Sequence, residues 1–121
     1  GVPVPMGEVV EFPCARKMLS ETTSIYIIEA TGAGWIKVGI SDNPHRRITD
    51  LRRATPHPLR LVHHTNPFPR ADAYRLEQLI HAHLARKHAR RGEWFECRPT
   101  AALRAMVSVG HRELETRRPT R

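Results

Sequence analysis

Apolar residues fall along this chain in two rhythms. The run SIYIIEA (24–30) is rich in β-branched and aromatic side chains, stops at Thr31-Gly32-Ala33-Gly34, and resumes as WIKVGI (35–40). Two such runs joined by a glycine-containing loop predict a β-hairpin. LRLVHHT (59–65) alternates and predicts a third strand, which Asn66-Pro67-Phe68-Pro69 breaks. A longer period governs 70–90, where Tyr74, Leu76, Leu79, Ile80 and Leu84 recur at helical spacing before Gly92 ends the segment.

Polar punctuation adds two more helices. Asn43 is a helix cap and Pro44 sits at the first helical position, where its missing N–H costs nothing. A helix over 44–54 would turn Ile48 and Leu51 inward and Arg46, Arg47, Asp50, Arg52 and Arg53 outward, with Pro56 and Pro58 stopping it. Glu93–Cys97 reads as a short strand, with Trp94 and Phe95 as core residues, and Thr100 as the cap of a last helix over 101–114. The order β-β-α-β-α-β-α describes an α+β fold: a small, mainly antiparallel sheet flanked by helices. The division expected is an N-terminal arm (1–20) with a helical turn near Ala15–Leu19, a central domain (21–98), and a C-terminal helix and tail (99–121) that frays at RRPTR.

The 121 residues suit one domain. No apolar run approaches the roughly 20 residues a membrane span needs, so no membrane role is expected. GVPVPMGEVVEF has neither a basic start nor a long apolar stretch, so no secretory leader is expected either. Cys14 and Cys97 form no CxxC or Cys/His zinc spacing, and His63, His64 and His83 find no closely spaced third ligand. A cytoplasmic location is the expectation. The 20 Lys+Arg against 12 Asp+Glu leave +8, which points to a polyanion, since each neutralised phosphate releases counterions. Most of these cations are arginine, whose planar fork fits phosphate oxygens two at a time.

The spacing of particular residues then carries a resemblance. Tyr26 in SIYII is followed eleven residues on by KVGIS (37–41), then by Arg46-Arg47, by Glu77 and His81 on one helix face, and by Gly92-Glu93-Trp94-Phe95. This series resembles the GIY-YIG nucleases, most closely the phage- and plasmid-borne GIY-YIG-like branch whose second motif reads K-[IV]-G, and it covers about 24–97. The resemblance implies a metal-dependent endonuclease that hydrolyses phosphodiester bonds in DNA with Mg²⁺ or Mn²⁺. Tyr26 matches the first-motif tyrosine, Gly39 the second-motif glycine, Arg47 the arginine that holds the scissile phosphate, and Glu77 the metal-ligating glutamate. A carboxylate suits a hard cation and a guanidinium suits the charge that grows on phosphate. Gly39 is expected to let backbone and phosphate approach closely, and Arg46, Arg52 and Arg53 to add nucleic-acid contacts.

The departure is Lys37, which stands where the wider family carries its second tyrosine, a residue implicated in activating water. Lys37 is either a neutral base or a charged substrate anchor, and Tyr26 and His81 are the other candidates for help with the water. His81, four residues beyond Glu77, reads as a second ligand, a proton shuttle or a simple hydrogen-bond partner of Glu77. The alternative function is a non-catalytic nucleic-acid-binding module that kept the fold. Specificity is expected to come from the domain, the arm, the last helix, a homodimer or a larger protein partner.

Overall fold

The computed structural model describes residues 21–116. Its strands are β1 (Thr22–Ala30), β2 (Trp35–Ser41), β3 (Leu59–His64), β4 (Phe68–Pro69), β5 (Arg90–Arg91) and β6 (Trp94–Phe95); its helices are α1 (Pro44–Ala54), α2 (Arg70–Ala85) and α3 (Pro99–Thr116). All strand pairs are antiparallel and the sheet runs β3-β1-β2-β6-β5, with β4 paired to the start of β1. The α+β architecture read from the pattern is the one that forms. The proposed arm, the turn at Ala15–Leu19 and the RRPTR tail lie outside the described residues.

β1 is the centre. Its side chains alternate between two clusters because successive Cβ atoms point to opposite faces. Ile25 and Ile27 join Ile36, Val38, Ile80, Leu84 and Phe95 beneath α2 and α3, while Tyr26, Ile28 and Ala30 join Ile48 and Leu59 on the α1 side. Both faces are covered, which is why residues 25–28 are isoleucine at every position but the tyrosine. Burying each such side chain contributes about 1.5–3 kcal/mol. The β1–β2 loop closes with Gly32 at φ 84 and Gly34 at φ 74, left-handed values that glycine adopts at no steric cost.

α1 begins as its residues dictate: the Asn43 side chain accepts from the Arg46 N–H at 3.1 Å, and Pro44 opens the helix. Ile48 is buried and Leu51 half-buried, so the inner stripe is the expected one. Arg70 ties this entry to α2, with its guanidinium 2.5 Å from Asp42.

Three expectations need correction. The Asn66–Pro69 break contains β4, because Thr22 and Thr23 extend β1 far enough to pair with Phe68 and Pro69. The helix expected to run to residue 90 ends at Ala85, and Lys87 and His88 fold back to bond the Leu84 carbonyl. Arg90 and Arg91 then form β5, and Gly92, at φ 60, turns the chain into β6. Glycine at the first central position of a two-residue loop is what a type II′ hairpin turn requires. The last helix starts at Pro99 rather than after Thr100, with the Arg98 carbonyl accepting from the Ala101 N–H. Proline at a first helical position explains the earlier start.

Candidate active site

β2 pairs with β6 only at Ile36↔Phe95 and then runs on alone. Along that open edge lies a cleft of about 290 Å³ lined by Tyr26, Lys37, Gly39, Arg47, Glu77, Gln78, His81, Arg90 and Glu93, with the Val38 and Ile40 segment as its floor. Tyr26, Lys37, Gly39, Arg47, Glu77 and His81, named from the sequence for one site, therefore come together. They arrive from β1, β2, α1 and α2.

Tyr26 stands across the β1–β2 ladder from Gly39, and its ring lies over the glycine. A Cβ at position 39 would meet Tyr26 Cζ at 2.6 Å, with the hydroxyl closer still. This corrects one expectation: the group that needs Gly39 to lack a side chain is the Tyr26 phenol, and Gly39 itself is buried. Burial pushes the Tyr26 pKa above its ordinary value of 10.0; a hydrogen bond from Arg47 and its positive charge oppose that rise, and Glu77 and Glu93 add to it. The phenol is a proton donor at neutral pH.

Lys37 is 5% exposed, and its ammonium is ion-paired to the Glu93 carboxylate at the tip of the β5–β6 turn. The hydrogen bond from Lys37 and then its charge hold the Glu93 carboxyl below its ordinary range; burial opposes them, and smaller effects of Arg47 and Arg90 add to the lowering. The two environments weighed from the sequence for Lys37 did not include this acid. Its nearest charge is a carboxylate, and Lys37 stands as one half of that ion pair.

His81 Nε2 lies 2.7 Å from the Val38 carbonyl. A carbonyl can only accept, so Nε2 carries the proton and Nδ1 is left with a lone pair in neutral imidazole. The His81 ring also rests on Phe95, centroids 5.6 Å apart. Glu77 Oε1 accepts from Gln78 Nε2 at 3.1 Å; the Glu77–His81 hydrogen bond weighed from the sequence is replaced by these separate partners. Among the described residues Glu77 has no ion-pair partner, and no group of three or more His, Cys, Asp or Glu side chains converges to enclose a metal. One half-buried, unpaired carboxylate in an open polar cleft fits a cation that keeps most of its water, as Mg²⁺ does.

Three candidates fall outside the cleft. Arg46 and Arg53 are exposed on α1, Arg53 with Asp50 at 4.0 Å, and Arg52 donates to the Leu59 carbonyl at 3.2 Å. Of the α1 arginines, Arg47 is the one that lines the cleft. Phe95 is fully buried and Trp94 half-buried, as core residues should be. Two charged cleft residues were missed as site residues. Arg90 was assigned to a helix end, and Glu93 was read only as part of a strand; the signal was Gly92-Glu93 between two short runs, a hairpin turn. Cys97 is buried, and that burial pushes its thiol up in pKa.

Fold and cleft together define a small α+β domain with a mixed basic and acidic site at an open strand edge. The chain belongs to the T5orf172 domain family, whose match spans residues 23–110. This is a phage-associated domain often found in HNH or GIY-YIG-like nuclease context. No curated protein and no solved structure matches the chain. No helix among the described residues is long and apolar enough to cross a membrane.

Proposed function

We propose that the domain is a metal-dependent endonuclease of the GIY-YIG type that hydrolyses phosphodiester bonds in DNA. The observation that carries this reading is the meeting of Arg47 and the Tyr26 phenol with the unpaired Glu77 carboxylate in one cleft. A pure phosphate binder has no use for an unpaired acid among its cations, because the acid repels the ligand.

Glu77 would hold the divalent cation, Mg²⁺ or Mn²⁺, through its carboxylate and bound waters; when bound, such an ion neutralises charge developing on the phosphoryl and leaving oxygens. Arg47 grips the scissile phosphate by its fork of N–H donors, and its charge gains most where the transition state is most anionic. Tyr26, protonated and near enough to feel the Arg47 charge, offers its own O–H to the phosphate. Lys37, locked by Glu93, contributes positive charge at a fixed point of the floor and is not the base. The proton acceptor is His81: with Nε2 bound to Val38, its Nδ1 can take a proton from the attacking water.

Supercoiled plasmid and end-labelled single-stranded DNA and RNA, incubated with Mg²⁺, Mn²⁺ or EDTA, test the reading. Nicking or internal cleavage of DNA that EDTA stops is expected. No cleavage with any metal, accompanied by salt-dependent binding, would replace the enzyme by a binding module.

A further inference from the structure

Arg90 is held more firmly than an exposed arginine needs to be. Its Nε donates to the Gly92 carbonyl at 2.8 Å, closing over the hairpin turn that follows it. Its guanidinium carbon lies 5.0 Å from the centroid of Phe95, the cross-strand partner of Arg90 in the β5–β6 pair. Arg90 also lines the cleft. With Nε committed and the plane resting on a ring, the two terminal nitrogens remain as a pre-set fork. Glu93, the nearest acid on the same turn, is engaged by Lys37. The cleft thus holds two guanidiniums, Arg47 on α1 and Arg90 on β5, both near enough to Glu93 for their charges to act on it.

Resting on the nucleolytic reading above, we propose that Arg90 binds the phosphate next to the scissile one, so that the site takes two consecutive phosphates of one strand. The substrate class follows: an internal diester of a polynucleotide, with isolated single-phosphate esters held by Arg47 alone and bound more weakly. Arg90 is a positioning residue, since its target is not the reacting phosphate. The stack on Phe95 explains an arginine here, because a lysine would keep the charge but lose both the fork and the planar contact.

The test is equilibrium binding of a duplex oligonucleotide to the Glu77→Ala protein, with and without Arg90→Met, across a range of salt. Methionine keeps apolar cover on Phe95 while removing the fork. The proposal expects the slope of log affinity against log salt to fall by about 0.9, one phosphate's worth, with affinity at low salt down about tenfold. Should Arg90→Met melt below its parent, Arg90→Lys decides: it should recover the slope while leaving affinity several-fold short. An unchanged slope in Arg90→Met, or full recovery of affinity by lysine, would overturn the Arg90 assignment alone. Absence of salt-dependent binding in the protein that retains Arg90 would overturn the nucleic-acid reading on which it rests.

Discussion

Two hairpins of very different build supply the strand residues of the cleft, to which the helices add Arg47, Glu77 and His81. The β1–β2 hairpin is long, buried on both faces and in unbroken register from Ser24↔Ser41 to Ala30↔Trp35. It contributes Tyr26, Lys37 and Gly39 from its interior. The β5–β6 hairpin has two residues in each strand and contributes Arg90 from its first strand and Glu93 from its exposed tip. In the first, each site residue is fixed by the fold's own core. In the second, the site residues are fixed by pairing with a charge or a ring: Glu93 with Lys37, Arg90 with Phe95. The core hairpin sets the geometry, and the small one adjusts its charge.

The contrast can be broken most severely at Gly39. Alanine there would drive a methyl into the Tyr26 ring, so Gly39→Ala is expected to cost about 1–3 kcal/mol by thermal denaturation and to lower cleavage by displacing Tyr26 from Arg47. Stability within a few tenths of the parent's would refute the close approach.

Next in size is the ion pair that joins the hairpins. Glu93→Ala leaves the buried Lys37 ammonium without its carboxylate, at about 1–2 kcal/mol. Lys37→Met leaves only an exposed carboxylate, which water accepts, so it should cost less. A double-mutant cycle in chemical denaturation measures the difference, and equal costs would contradict the asymmetry of burial.

Gly92→Ala should cost about 1 kcal/mol, here for its positive φ and not for crowding, since open space surrounds the site of a Cβ. Smallest is a pH effect. The Glu93 carboxyl is depressed in the folded state below its usual 4.5, so its contribution is complete above 4.5 and is lost as pH falls through the lower folded value. Glu93→Gln should remove that acid-limb component of the melting temperature, and an identical acid limb in both proteins would contradict it.

The same contrast explains what could be read before the fold was seen. Alternation and β-branching marked β1 and β2, and the pleat alone places Tyr26, Lys37 and Gly39 near one site. Asn43-Pro44 marked the start of α1, and the distance of Arg47 from Gly39 singled it out among the arginines of that helix. Two-residue strands carry no periodic signal, so 86–91 read as a continuation of α2, and Arg90 vanished into a helix. The pairing of Lys37 with Glu93 spans 56 residues and depends on a turn at Gly92, which no local pattern reports. Arg52 shows the reverse failure: its place on a basic helix suggested nucleic acid, yet it is spent on the Leu59 carbonyl.

The central claim is that Glu77 serves the chemistry and not the grip. Cleavage of plasmid DNA in Mg²⁺ and binding of a labelled duplex should be measured side by side for the unsubstituted protein and Glu77→Ala. Cleavage is expected to fall at least about a thousandfold while binding stays within a few-fold, since the acid is needed where charge develops and opposes the phosphate otherwise. Cleavage at the parent rate in Glu77→Ala would contradict the account.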